Sequence, residues 1–66
     1  MVTRKQVEEF INNAEISEPQ RNALIRRLNG IYQDPEDESS KAQVKVIFEG
    51  MNKLFLQFEN KFMNLA

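Results

Sequence analysis

Between Val44 and Leu65 the apolar side chains fall in steps of four, three, four, three, four and three: Val44, Phe48, Met51, Phe55, Phe58, Phe62 and Leu65. No other feature of the chain limits its fold as tightly. This is the a/d spacing of a helix lying at a shallow angle against another helix. Ile47 and Leu54, at the flanking g positions, broaden the stripe until it is wide enough to meet two neighbours. Val44 to Phe48 is rich in strand-favouring residues, but a strand would interrupt the seven-residue pattern, so the helical reading is preferred. A helix from Lys41 to the end of the stripe has about 25 residues and forms a rod of ~37 Å.

Two shorter helices precede it. Thr3 is placed to cap the first, with Gln6 reaching back to close a capping box, and Val2 and Val7 sit at the positions of a hydrophobic staple. Val7, Phe10, Ile11 and Ala14 then line one face, which predicts a helix from Arg4 to Ala14. Ser17 and Gln20 repeat the capping pair, and Pro19 is tolerated in a first turn because its missing N–H would be unpaired there. Leu24, Ile25, Leu28, Ile31 and Tyr32 continue the stripe past Gly30, which predicts a second helix from Glu18 to Tyr32. Gly30 inside it costs about 1 kcal/mol relative to Ala. The third helix starts between Pro35 and Lys41: Asp34-Pro35 is one acceptable start, and Ser40 with Gln43 is another. The expected fold is therefore all-α: a three-helix bundle in one domain, residues 1–66, with two shorter helices packed on one long C-terminal helix.

Size makes that bundle marginal. A chain of 66 residues buries only ~60% of the surface its unfolded form exposes. Cysteine and histidine are both absent, so disulfides, thiolate metal sites and the commonest general base are excluded. Tight helix packing or oligomerisation is left as support. No cofactor and no metal site is expected. The cluster Asp34, Glu36, Asp37 and Glu38 lacks the glycine-containing loop that calcium ligation requires, and reads as a solvated helix start. Ser39 and Ser40 have no histidine to activate them, and neither a nucleophile elbow nor a P-loop pattern is present, so an enzyme is not expected.

The formal net charge is −1, which is not the footprint of a chain that lives on nucleic acid. Residues 1–33 carry five bases and four acids, residues 34–40 four acids and no base, and residues 41–66 four lysines and two glutamates. Arg21, Arg26 and Arg27 on the second helix could still serve a small DNA-binding regulator, with that helix as reader and the third as dimeriser. No apolar run reaches the ~20 residues of a membrane span, and the charged start has no apolar signal core, so a cytoplasmic protein is expected.

The third helix carries four of the five phenylalanines. It also carries apolar residues off the seam, namely Val46, Leu56 and Met63. Helices as short as the first two cover only part of a ~37 Å rod. Each ring left in water forgoes about 1.5–3 kcal/mol, so the excess surface predicts a partner. The expected function is a non-enzymatic protein–protein interaction module: a small regulator, adaptor or assembly chaperone. The expected interface is Phe55, Leu56, Phe58, Phe62, Met63 and Leu65, meeting a second copy in a homodimer or a partner's helix.

Overall fold

The computed structural model describes residues 1–62. They form, in order, strand β1 (Val2–Thr3), helix α1 (Arg4–Asn13), helix α2 (Glu18–Ile31), strand β2 (Glu38–Ser39), helix α3 (Lys41–Ile47) and helix α4 (Asn52–Phe62). The protein is mostly helical, with one small antiparallel pair in which Val2 stands opposite Ser39 and Thr3 opposite Glu38.

The predicted helix starts are found where the capping residues put them. Thr3 with Gln6, Ser17 with Gln20 and Ser40 with Gln43 each form a complete capping box at the heads of α1, α2 and α3. Each box satisfies two backbone donors that a helix N-terminus otherwise leaves unpaired. For the third start, the box at Ser40 prevails over Asp34-Pro35. The preceding segment is needed elsewhere: the carbonyls of Pro35 and Asp37 accept the amides of Lys5 and Arg4 at 3.3 and 3.0 Å. The acidic connector is therefore folded over the head of α1, where its carboxylates also suit the positive end of the helix dipole.

The long C-terminal helix is replaced by two shorter ones. α3 ends at Ile47 and α4 begins at Asn52, with Gly50 between them at φ 88°. The bend is bridged by tight turns: the amide of Phe48 reaches the carbonyl of Lys45, Glu49 that of Val46, and Met51 that of Phe48. A continuous helix from Lys41 to Phe62 would be ~33 Å long, whereas the whole body measures 27 × 24 × 19 Å along its principal axes. Folding back keeps the last rings inside that body. Burial of Phe58 and Phe62, worth about 1.5–3 kcal/mol each, outweighs a few helix hydrogen bonds of ~1 kcal/mol net that the turns partly replace.

The fold-back also rotates the buried face. Leu54, Phe58 and Phe62 point inward from α4, while Phe55 and Met51 are half-buried. Ile47 and Leu54, the g positions expected to broaden the a/d seam, are both buried, as a globular core demands.

At the centre is Phe10, the one phenylalanine outside the C-terminal stretch. Its ring meets those of Phe48, Phe58 and Phe62 edge-on, with centroids 5.7, 5.7 and 5.8 Å away. Phe48 and Phe58 lie at 4.8 Å, and Phe58 and Phe62 at 4.9 Å. Such pairs add about 0.5–1.5 kcal/mol beyond the area they bury. Val7, Ile11, Leu24, Leu28, Val44 and Ile47 pack around them, each with no measurable exposure, and Val2, Tyr32 and Leu54 belong to the same core.

Candidate protein interface

The predicted interface residues divide sharply. Phe58 is fully buried and Phe62 is 7% exposed, so both belong to the core of a single copy. The free aromatic surface is smaller than the spacing predicts because one ring of α1, Phe10, receives three. Phe55 is half-buried against the core, and Leu56 is 60% exposed. Met63 and Leu65 lie outside the described residues.

The surface that remains apolar surrounds the bend. Val46, on the last turns of α3, is 57% exposed. Between it and Phe55 runs a shallow groove of about 240 Å³, floored by Phe48 and Gly50 and edged by Lys45, Glu49 and Asn52. The Lys45 ammonium stands 5.8 Å from the centroid of the Phe55 ring, within range of a cation–π contact. Leu56 follows Phe55 on α4 and extends the exposed apolar surface away from the groove. A second depression of about 590 Å³ separates the α1–α2 turn from the head of α4, between Ala14, Ile16 and Gln20 on one side and Met51, Lys53 and Gln57 on the other.

Two of the three arginines proposed for nucleic acid have structural duties instead. Nη2 of Arg21 donates to the carbonyl of Ala14 at 3.3 Å and, more weakly, to that of Asn12 at 3.5 Å. It thereby closes the end of α1. Its Nε is buried and has no partner among the described residues. Nη1 of Arg27 donates to the carbonyls of Ile47 and Glu49 at 3.0 and 3.1 Å, fastening the end of α3 and the bend. Arg26 is exposed and, among the described residues, makes no such contact.

A third arginine repeats the pattern: Arg4 donates to the carbonyl of Tyr32 at 3.2 Å and to Oδ1 of Asn29 at 2.6 Å, closing α2. Its Nε also meets Glu8 at 3.4 Å. Neither α1 nor α2 has a basic residue in its own last turn. The cations that complement their C-terminal dipoles arrive from another helix. Sequence reasoning missed this because capping by a distant side chain leaves no local spacing to read.

The groups that could carry chemistry are likewise occupied. Ser39 is buried and donates to Oε1 of Gln43 at 2.7 Å, while Ser40 is the cap of α3. The Tyr32 hydroxyl donates to the carbonyl of Val2 at 2.9 Å in a buried setting. Burial raises its pKa above the ordinary tyrosine value, partly offset by a hydrogen bond with the Ser39 side chain. Oδ2 of Asp37 accepts the amides of Asp34 and Gln33 at 2.9 and 3.0 Å. Those two bonds, Asp34 first, hold its carboxyl below the usual aspartate value; slight burial opposes them, and the nearby Arg4 charge assists. Among the described residues, no group of three or more acidic side chains is arranged to hold a metal ion. None of the described helices is long and apolar enough to cross a membrane.

Comparison of the chain with protein-family models, with curated proteins and with solved structures finds no match.

Proposed function

We propose that this protein is a non-enzymatic protein–protein interaction module whose docking surface is the groove at the α3–α4 bend, with Val46, Phe55 and Leu56 as its apolar contacts. The observation that carries this reading is the 57% exposure of Val46 in the same groove as the half-buried Phe55, with Leu56, 60% exposed, next to Phe55 on α4. Among the described residues, Val46 and Leu56 are the large apolar side chains that stand exposed, apart from Met1. Clustered apolar exposure beside a concave surface is what a partner's side chain seeks. Lys45, Glu49 and Asn52 supply a polar rim of mixed sign, the usual surround of such a contact. The involvement of Ser17 and Ser40 in capping and of Ser39 in a buried hydrogen bond supports a module without catalysis, and the absence of cysteine accords with a cytoplasmic setting. Supporting DNA binding less well, two of the three candidate arginines are committed to backbone carbonyls.

The occupant is an apolar side chain presented on a helix, from a second copy or another protein. Sedimentation of the purified protein from micromolar to millimolar concentration tests the first source, and affinity capture from the native host tests the second. Leu56→Asp should abolish whichever complex forms while changing folding stability by no more than about 0.5 kcal/mol. Association unaffected by both Leu56→Asp and Val46→Asp would overturn the assignment.

A further inference from the structure

We infer that the α3–α4 bend is a hinge through which two copies of this chain exchange their α4 helices, forming a dimer in which α3 and α4 run as one continuous helix. This goes beyond the docking groove, which needs the bend that the exchange opens, and the Leu56→Asp arm of the experiment below tells the two apart.

Two observations converge on residues 47–51, and a third concerns how α4 is attached. The first is the sequence pattern. The steps of four and three continue through Phe48 and Met51, residues that belong to neither helix in the folded chain. A bend alone does not require helical phase to be kept across it; a continuous helix does.

The second is the way the bend is held. In a continuous helix the carbonyls of Ile47 and Glu49 would accept the amides of Met51 and Lys53. Here both carbonyls accept Arg27 instead, and the Met51 amide turns to Phe48. Gly50 supplies the positive φ, 88°, that other residues rarely adopt. A Cβ at Gly50 would meet nothing within 4 Å, so its backbone conformation, and not crowding, is the reason for glycine there. Arg27 and Gly50 together form a latch on one of two backbone arrangements.

The third is the attachment of α4. The most extensive backbone contacts between helices are those of α1 with α2 and of α2 with α3. α4 is held through its side chains, above all the rings of Phe58 and Phe62 against Phe10. An element joined by side chains and a single hinge is the one most easily exchanged.

The partner follows from geometry. Straightened, the helix is ~33 Å long, longer than the 27 Å body, so α4 leaves its own core and its rings lose cover. The surface that fits those rings is the vacated site on a second copy, where Phe10 and Phe48 offer the same contacts. Exchange of an identical element through a hinge is the least costly route to a dimer because no new interface has to be invented.

The 66-residue chain is short enough for chemical synthesis, which permits a direct test. Gly50→Ala penalises the bent form through its positive φ and favours a continuous helix. Gly50→D-Ala puts the methyl at the other hydrogen of Cα, where it favours the bend and opposes the right-handed helix. Sedimentation of both and of the native chain at matched concentrations should show Gly50→Ala dimerising at least about a hundredfold more tightly than the native chain, with Gly50→D-Ala monomeric. Mixing isotope-labelled and unlabelled Gly50→Ala should give intermolecular proton contacts between Phe10 and Phe58 or Phe62. Arg27→Gln should move the native chain toward the dimer. Leu56→Asp, introduced into Gly50→Ala, should leave this dimer intact, which separates it from association through the surface groove. If Gly50→Ala stays monomeric, or dimerises with the contacts between Phe10 and the two rings still within one chain, the exchange is overturned.

Discussion

The two halves of this small protein satisfy their helices by opposite means. α1 and α2 each begin with a complete capping box and run unbroken, one after the other, along faces that the spacing of Val7, Phe10 and Ile11 and of Leu24 and Leu28 defines. The C-terminal half has the stronger periodic pattern, yet it is the half that breaks. α3 has its own box at Ser40, but α4 is preceded by Met51, a residue with no side-chain oxygen to offer as a cap. The bend above it is held by Arg27, borrowed from α2. Helix continuity is therefore decided where local hydrogen bonding competes with burial, and burial of two phenylalanines is the larger quantity.

Phe58→Ala is the most severe way to break this comparison. Removing a fully buried ring that touches both Phe48 and Phe10 should cost about 3–5 kcal/mol, close to the whole stability of a domain this size. Chemical denaturation should find the variant largely unfolded in both halves. Survival of a folded α1–α2 pair would show that the halves are independent units.

Arg27→Ala should come next, at about 1–2 kcal/mol. The low end of the range for charged hydrogen bonds applies because the Glu49 contact is exposed. Amide hydrogen exchange should rise most in α3 and α4 and least in α1. Uniform acceleration would mean that Arg27 supports the whole core and not the bend.

The smallest effects are pH-dependent and lie in the connector that joins the halves. The Tyr32 pKa is raised in the fold, so its contribution is complete below the ordinary value of about 10 and is lost as pH climbs through the higher folded value. Thermal melts between pH 9 and about 11.5 should fall for the native chain and fall less for Tyr32→Phe. The Asp37 pKa is lowered, so its contribution is present above the ordinary value of about 3.9 and disappears as pH falls through the lower folded one. Asp37→Asn should flatten the acid limb, and an unchanged slope there would show that Asp37 is not the group responsible.

The helix starts at Thr3 and Ser17 were legible in the sequence because a capping box is read within four residues, whereas the third start stayed open between Asp34-Pro35 and Ser40 until the connector's contacts with the head of α1 decided it. The core face of α1 was legible for the same reason as the first two starts. The candidate surface was legible only in part. Leu56 and Val46 are off the seam, and they remain outside. Phe58 and Phe62 are on it, and the chain itself encloses them. What misled the reading was the pairing of Phe10 with three rings, a contact between residues some forty or more positions apart that no spacing announces. The arginines were obscured similarly: Arg21 and Arg27 look like ordinary polar-face cations until the carbonyls they serve are brought beside them.

The sequence by itself determined that the chain is helical, where the first two helices begin and which faces of them turn toward the core. Those outcomes depend on periodicity and on hydrogen bonds closed within a turn. The tertiary structure alone decided that the last stripe would fold back at Gly50, that three arginines would close the ends of other helices, and that Val2 would pair with Ser39. Each of these depends on groups distant along the chain meeting in one small volume. Only there can the gain from burying two rings be weighed against the helix hydrogen bonds lost at the bend.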